Sequence, residues 1–148
     1  MDKRPILLVE DNPDDVELTL RAIRKNNIPN EIVVARTGEQ AAELLFSDSA
    51  TTGRRRTPPS IVLLDLKLPG MDGFEVLRRI RSNPLTKLIP VVILTSSREE
   101  LDLLKGYSLG ANSYVRKPVN YDQFVSTVQQ LERYWLGINE PVSNKGAI

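Results

Sequence analysis

The stretch that most constrains the fold runs from Ser60 to Gly70, where four consecutive apolar residues are followed at once by Asp65. An unbroken apolar run of this kind is typical of a strand buried on both faces, as at the centre of a parallel sheet. Pro69 and Gly70 then favour a turn. Asp65 would therefore lie at the carboxyl end of a central strand, where ligands bind in open α/β sheets. The alternative is that Asp65 only ends the strand or caps a helix.

Short apolar runs alternate with helical periodicity along the chain. Strands are predicted over residues 5–9, 31–36, 61–64, 89–94 and 112–115, and helices over residues 14–26, 38–46, 74–81, 99–109 and 121–135. This alternation implies right-handed crossovers and a doubly wound α/β fold, in which helices cover both faces of a five-stranded parallel sheet. We predict one domain over residues 1–136 and a flexible tail over residues 137–148.

Polar residues follow four of the five predicted strands. Glu10 and Asp11 follow the first strand, Asp65 the third, Thr95 the fourth and Lys117 the fifth. Because the carboxyl ends of parallel strands share one edge of a sheet, we expect these side chains to meet. Three carboxylates at one edge need a cation among them, which Lys117 and a divalent ion can supply, and oxygen-only ligands suit Mg²⁺. The alternative is a set of unrelated polar residues at strand ends.

The composition excludes several classes of chemistry. Cysteine and histidine are both absent, which rules out disulfides, thiol chemistry and mechanisms that use a Ser-His or Cys-His pair. The 20 basic and 19 acidic residues leave a net charge of +1, so no charge bias indicates nucleic-acid binding, and the run Arg54 to Arg56 favours a solvated loop. No apolar stretch is long enough for a signal peptide or a membrane span, and a cytoplasmic location is therefore expected.

Four segments together resemble the receiver domain of two-component response regulators. They are LLVED at residues 7–11, LLDLKLPGMDG at residues 63–73, PVVILTS at residues 90–96 and GANSYVRKP at residues 110–118. The resemblance implies a flavodoxin-like sheet with strand order 2-1-3-4-5. It also implies that Asp65 accepts a phosphoryl group from the phosphohistidine of a sensor histidine kinase.

The same resemblance assigns the metal ligands. Glu10, Asp11, Asp65 and the backbone carbonyl of Lys67 would hold Mg²⁺, with Glu10 as a common variant of the aspartate often found at the first acidic position. The chemistry agrees, because a carboxylate is a competent nucleophile and phosphoryl transfer depends mainly on positioning and charge neutralisation.

The remaining site residues also follow from the resemblance. Thr95 and Lys117 would bind phosphoryl oxygens, and Tyr114 matches the aromatic residue that responds to phosphorylation, so Thr95 and Tyr114 are the expected switch. The alternative is that Tyr114 is a half-buried strand aromatic without a role in signalling. The bond between Lys117 and Pro118 is expected to be cis, as in the family.

A narrower resemblance concerns the partners. The long Arg- and Pro-containing loop before the third strand and the ending Tyr134-Trp135-Leu136 resemble the small response regulators that partner bacterial phytochromes. Such a relationship implies a stand-alone receiver that signals to a downstream protein target. It also implies a homodimer with the fifth helix and the carboxyl-terminal aromatics near the interface. The alternative is that Trp135 folds back onto its own domain.

Two further functions stay open from the residues alone. A pseudo-receiver would bind partners without phosphorylation, but such proteins usually lack one or more of the site residues that are intact here. A phosphohydrolase would usually carry a second aspartate two residues after the nucleophile, where this chain has Lys67. We therefore expect no enzymatic activity beyond the protein's own phosphorylation and dephosphorylation.

Overall fold

The computed structural model describes residues 3–25, 27–47 and 57–142. The three arginines at positions 54–56 and the last six residues of the predicted tail lie outside the described residues.

Five parallel strands form one sheet with the order β2-β1-β3-β4-β5. The strands are β1 (Ile6–Val9), β2 (Ile32–Ala35), β3 (Ile61–Leu64), β4 (Val91–Thr95) and β5 (Ser113–Arg116). In the register of the ladders Val9 pairs with Leu64, and Thr95 pairs with Arg116. The predicted doubly wound sheet and its strand order are confirmed, and the carboxyl ends of β1, β3, β4 and β5 meet at one edge.

The first four helices connect successive strands, the fifth follows the last strand, and side chains cap several of them. They are α1 (Pro13–Lys25), α2 (Gly38–Phe46), α3 (Gly73–Ser82), α4 (Glu100–Ser108) and α5 (Tyr121–Glu132). Thr37, Asp72 and Asn120 each accept a hydrogen bond from a backbone N–H in the first turn of α2, α3 and α5. No helix in the described part of the chain is long and apolar enough to cross a membrane.

Alternate residues of the central strands face two separate cores. Leu7 and Val9 of β1 join a cluster that includes side chains of α2 and α3, whereas Ile6 and Leu8 face the opposite side of the sheet. On that second side α1 packs against α5. The central strands are therefore buried on both faces, as their unbroken apolar sequences predict.

The chain continues beyond α5 as a π-helical segment, Arg133–Ile138. Leu136 is buried, and Trp135 packs against the core of its own domain beside Leu131. The helical backbone thus extends three residues past position 135, where sequence periodicity ends the last helix. The division into a domain over residues 1–136 and a tail after it stays a prediction.

Candidate functional site

Backbone hydrogen bonds carry the strand ladders one residue past the strands and so fix the positions of the polar residues. The N–H of Glu10 donates to Ala35 at 3.0 Å, that of Asp65 to Val9 at 3.0 Å, and that of Lys117 to Thr95 at 2.7 Å. The polar side chains predicted from the strand ends are therefore brought together at one edge of the sheet.

Three carboxylates form the centre of this edge. Glu10, Asp11 and Asp65 each offer an oxygen, and these oxygens all lie within 4.8 Å of one another. Glu10 and Asp65 are buried, with 2% and 8% of their surface exposed, whereas Asp11 is exposed to solvent. An all-oxygen group of this kind, open on one side, fits a hard divalent cation.

Lys117 provides the positive charge beside these carboxylates. Its Nζ donates to Glu10 Oε1, to Asp15 Oδ2 at 2.9 Å and to Asp65 Oδ2 at 3.4 Å, and its side chain is only 8% exposed. All three N–H groups of the ammonium are thus directed at carboxylates. The lysine offsets the mutual repulsion that burial of these acids would otherwise cause.

The close contacts shift the pKa values of two groups in the site. Burial and a hydrogen bond with Asp65 raise the pKa of Glu10 to about 7, although Lys117 acts in the opposite direction. Burial alone would lower the pKa of Lys117, but its hydrogen bonds to Glu10 and Asp15 outweigh burial and raise it. The lysine is therefore charged at any physiological pH, whereas Glu10 is close to its titration midpoint near neutrality.

Asp15 is a further site residue that the positions of the strand ends do not reveal. It lies in the first turn of α1 rather than at a strand end, and 30% of its side chain is exposed. Asp15 follows Asp11 by four residues, but α1 begins only at Pro13, so helical spacing does not connect Asp15 to the group at the strand ends.

The loop between β3 and α3 carries Lys67 next to the carboxylates. The N–H of Lys67 lies 3.5 Å from Asp65 Oδ1, and the N–H of Gly73 closes the loop by donating to Leu66 O at 3.0 Å. Glu39 at the start of α2 clamps the loop from outside, since its Oε1 accepts a hydrogen bond of 2.6 Å from the N–H of Met71. Glu39 is a second residue, after Asp15, whose contact near the site the sequence patterns did not identify.

Comparison with known proteins decides the family. The model of the response regulator receiver domain matches residues 6–129 of this chain. The chain belongs to the response regulator receiver family.

Its relatives include two regulatory proteins that it matches over most of their length. The receiver is 40% identical to a probable methanogenesis regulatory protein, FilR2, of Methanothrix harundinacea over 90% of this chain and 84% of the relative. It is 39% identical to response regulator Rcp1 of Synechocystis sp. over 88% of each chain.

Comparison with solved structures indicates the same family. The phosphorylated cyanobacterial phytochrome response regulator RcpA superposes with a TM-score of 0.88 at 37% identity, over 97% of this chain and all of the other. The Mn²⁺-bound form of Rcp1 superposes with a TM-score of 0.86 at 36% identity, over 96% of this chain and all of the other. Divalent-cation binding by this receiver fits two observations, namely the manganese-bound relative and the group of Glu10, Asp11 and Asp65.

The two expected switch residues of the receiver lie in adjacent buried surroundings. Thr95 is fully buried, and its hydroxyl oxygen accepts a hydrogen bond of 3.3 Å from the N–H of Ser97. Tyr114 is half-buried, and its hydroxyl is inaccessible to solvent and makes no well-formed hydrogen bond with the residues that the structure describes. Burial raises the pKa of the Tyr114 phenol, which the nearby Ser97 hydroxyl lowers by less. A buried hydroxyl without a well-formed hydrogen bond is costly in free energy.

The backbone next to Lys117 corrects one expectation. The bond between Lys117 and Pro118 is trans, so the prediction of a cis bond is wrong for this structure. With this trans bond, the ammonium of Lys117 still contacts the carboxylates of Glu10, Asp15 and Asp65.

Proposed function

We propose that Asp65 is the residue of this receiver that accepts a phosphoryl group from the phosphohistidine of a sensor histidine kinase. The observation that carries the proposal is the arrangement around Asp65, whose carboxylate lies close both to the acidic side chains that follow β1 and to the ammonium of Lys117. Attack by an Asp65 oxygen forms the new O–P bond while the N–P bond of the phosphohistidine breaks. The histidine nitrogen leaves with the bonding electron pair.

We infer that Mg²⁺ is the cation of this site, with Glu10, Asp11, Asp65 and the Lys67 carbonyl as its ligands. The oxygen-only donor set and the exposed Asp11 support a small hard cation that retains part of its water shell. When bound, Mg²⁺ supplies positive charge that stabilises the phosphoryl oxygens during transfer.

Lys117 and Thr95 complete the site. The ammonium of Lys117 is already 3.4 Å from Asp65 Oδ2, from where it can bind a phosphoryl oxygen on that carboxylate. Thr95 ends the neighbouring strand β4, and its hydroxyl can donate to the same group once it turns from Ser97. Tyr114 would then move into the space that Thr95 vacates, which makes these two residues a two-state element.

A pseudo-receiver is not favoured, because every acidic and basic residue expected at the site is present, and Lys117 contacts both Glu10 and Asp65. A phosphohydrolase acting on other substrates is also not favoured, since Lys67 has no carboxyl to protonate a leaving group. We therefore propose that catalysis by this protein is confined to its own phosphorylation and dephosphorylation.

A phytochrome-type sensor histidine kinase is our candidate for the partner. The support is the similarity, over nearly the whole chain, to the cyanobacterial phytochrome response regulator RcpA. The similar identity to FilR2 makes other sensor kinases the competing partners. We also propose a cytoplasmic location, a downstream protein target, and a homodimer that uses the exposed side chains of the last helical segment.

The direct test of this function is phosphorylation of the purified protein by acetyl phosphate and Mg²⁺, followed by intact-mass measurement. The wild type is expected to gain one phosphoryl group, and Asp65→Asn is expected to gain none because the nucleophilic oxygen is replaced. Asp72→Asn, at the cap of α3, is the matched control and should be labelled like the wild type. Full labelling of Asp65→Asn would contradict the assignment.

A further inference from the structure

The ammonium of Lys117 contacts three carboxylates, of which only two belong to the candidate metal group. Glu10 and Asp65 are members of that group, whereas Asp15, at 2.9 Å from Nζ, is not. Asp15 is therefore the one Lys117 partner, among the residues that the structure describes, that a cation bound in the group would leave undisturbed.

Asp15 is held by a different element from the other carboxylates. Its backbone N–H lies 3.3 Å from Asn12 Oδ1, and its carbonyl accepts a hydrogen bond of 2.8 Å from the Thr19 hydroxyl. It lies in the first turn of α1, where the helix dipole favours a negative charge. The Asp15 carboxylate can thus stay in place while the side chains at the strand ends reorient.

A cation and Lys117 compete for the same oxygens. Both are positively charged, and both approach Glu10 and Asp65, so each weakens the binding of the other at those carboxylates. Without another acceptor, the lysine would either remain on Glu10 and Asp65 and oppose the cation or turn out to solvent. An acceptor outside the metal group removes this conflict and keeps the ammonium near Asp65.

We propose that Asp15 is a positioning residue that retains Lys117 in the site when a divalent cation engages Glu10 and Asp65. The inference rests on the proposed function, in which Lys117 binds a phosphoryl oxygen. Asp15 does not touch the reacting atoms and acts only through the lysine.

The first experiment measures Mg²⁺ affinity by calorimetry for the wild type, Asp15→Asn and the control Asp14→Asn. Asp14 is the exposed neighbour in the same turn, so its replacement removes the same formal charge. We expect the dissociation constant to rise about fivefold for Asp15→Asn and less than about twofold for Asp14→Asn, because only the first change strengthens the competition by Lys117. Equal effects of the two substitutions would overturn the proposal.

The second experiment tests dependence on the lysine. In a Lys117→Ala background, Asp15→Asn should change the Mg²⁺ dissociation constant by less than about twofold. An undiminished effect in that background would show that Asp15 acts on the cation directly, which would overturn the proposal.

A spectroscopic readout covers the case in which Lys117→Ala does not fold. In nitrogen-15 spectra, the hydrogen-bonded ammonium signal of Lys117 should persist after Mg²⁺ is added to the wild type and disappear in Asp15→Asn. Persistence in both proteins would overturn the proposal. A wild type that binds no Mg²⁺ and takes no phosphoryl group would overturn the proposed function as well, whereas a functional wild type with these negative results overturns only the role of Asp15.

Discussion

Glu10 is the residue whose protonation is expected to control cation binding. Its pKa is raised to about 7 by burial and by the hydrogen bond with Asp65, against the effect of Lys117. A carboxyl group must lose its proton before it can act as a ligand. Mg²⁺ affinity should therefore rise about tenfold between pH 6 and pH 8, because the deprotonated fraction of a group with a pKa near 7 rises from about 0.09 to about 0.9. Calorimetry at matched ionic strength measures this change.

The control for this pH dependence is Glu10→Gln, which removes the titrating group but keeps a similar shape. Its Mg²⁺ affinity should be weaker and should change little between pH 6 and pH 8. Equal wild-type affinity at both pH values would show that Glu10 is fully ionised across the range.

At the residue scale, the sequence predicted the strand-end members of the site but not the side chains that reach it from helices. Asp65 and Lys117 could be placed because parallel strands align their carboxyl ends. The contact between Asp15 and Lys117 joins residues 102 positions apart and depends on how α1 crosses the sheet edge. Glu39 resembles an ordinary acidic residue in the first turn of a helix, so its contact with Met71 could not be inferred from periodicity.

At the scale of elements, Arg81 joins three parts of the fold at the edge opposite the site. Its guanidinium, on α3, donates to four acceptors at 2.8 to 3.0 Å, namely the carbonyl oxygens of Gly110, Lys87 and Ile89 and the side chain of Asn112. Arg81→Ala should lower the free energy of unfolding by about 2 to 3 kcal/mol, because it leaves partly buried acceptors without donors. Urea unfolding followed by circular dichroism measures the loss.

Arg79 on the same helix is the matched control. It pairs with Glu75 at 3.0 Å in exposed surroundings, so Arg79→Ala should cost less than about 0.5 kcal/mol. If the two substitutions cost the same, the contacts of Arg81 contribute no more than a surface ion pair.

The proposed switch would connect β4 with β5 and α4. The centre of the Tyr114 ring lies 6.5 Å from that of the Tyr107 ring of α4, and the Tyr114 hydroxyl makes no well-formed hydrogen bond within the described part of the chain. Binding of beryllofluoride and Mg²⁺ at Asp65 should draw the Thr95 hydroxyl away from Ser97 and turn Tyr114 inward, where its hydroxyl can gain a partner. Crystal structures with and without beryllofluoride measure the rotamer of Tyr114.

Thr95→Val separates the two steps of this switch, because valine has the same shape but no hydroxyl. Tyr114 should keep one rotamer in both states of that variant. An unchanged rotamer in both states of the wild type would remove Tyr114 from the mechanism.

The elements themselves were predictable within a few residues because their apolar patterns are strong. The end of the last helix could not be predicted from its sequence pattern. Its continuation to Ile138 depends on Leu136 and Trp135 finding apolar neighbours on β1, β3 and α5, and a local sequence pattern contains no information about those neighbours.

At the scale of the whole molecule, the proposed homodimer depends on which aromatic residues the domain uses for itself. Leu136 and Trp135 pack against their own core, as the alternative for Trp135 anticipated. Tyr134 and Ile138 of the same segment remain 46% and 64% exposed. Because Trp135→Ala would disturb the core as well as any interface, Tyr134 and Ile138 are the sharper positions for a test.

We expect the wild type to be dimeric at about 50 µM and the double variant Tyr134→Ser, Ile138→Ser to be monomeric, since apolar and aromatic side chains dominate interface energies. Sedimentation equilibrium with and without beryllofluoride measures the oligomeric state of both proteins, and circular dichroism should show an unchanged fold.

Leu85→Ser is the control, because Leu85 is 79% exposed but lies in the loop after α3. A wild type that is monomeric in both states would end the dimer proposal. A dimer that survives the double variant and dissociates with Leu85→Ser would instead move the interface from Tyr134 and Ile138 to the loop after α3, which lines one groove with Pro141 and Val142.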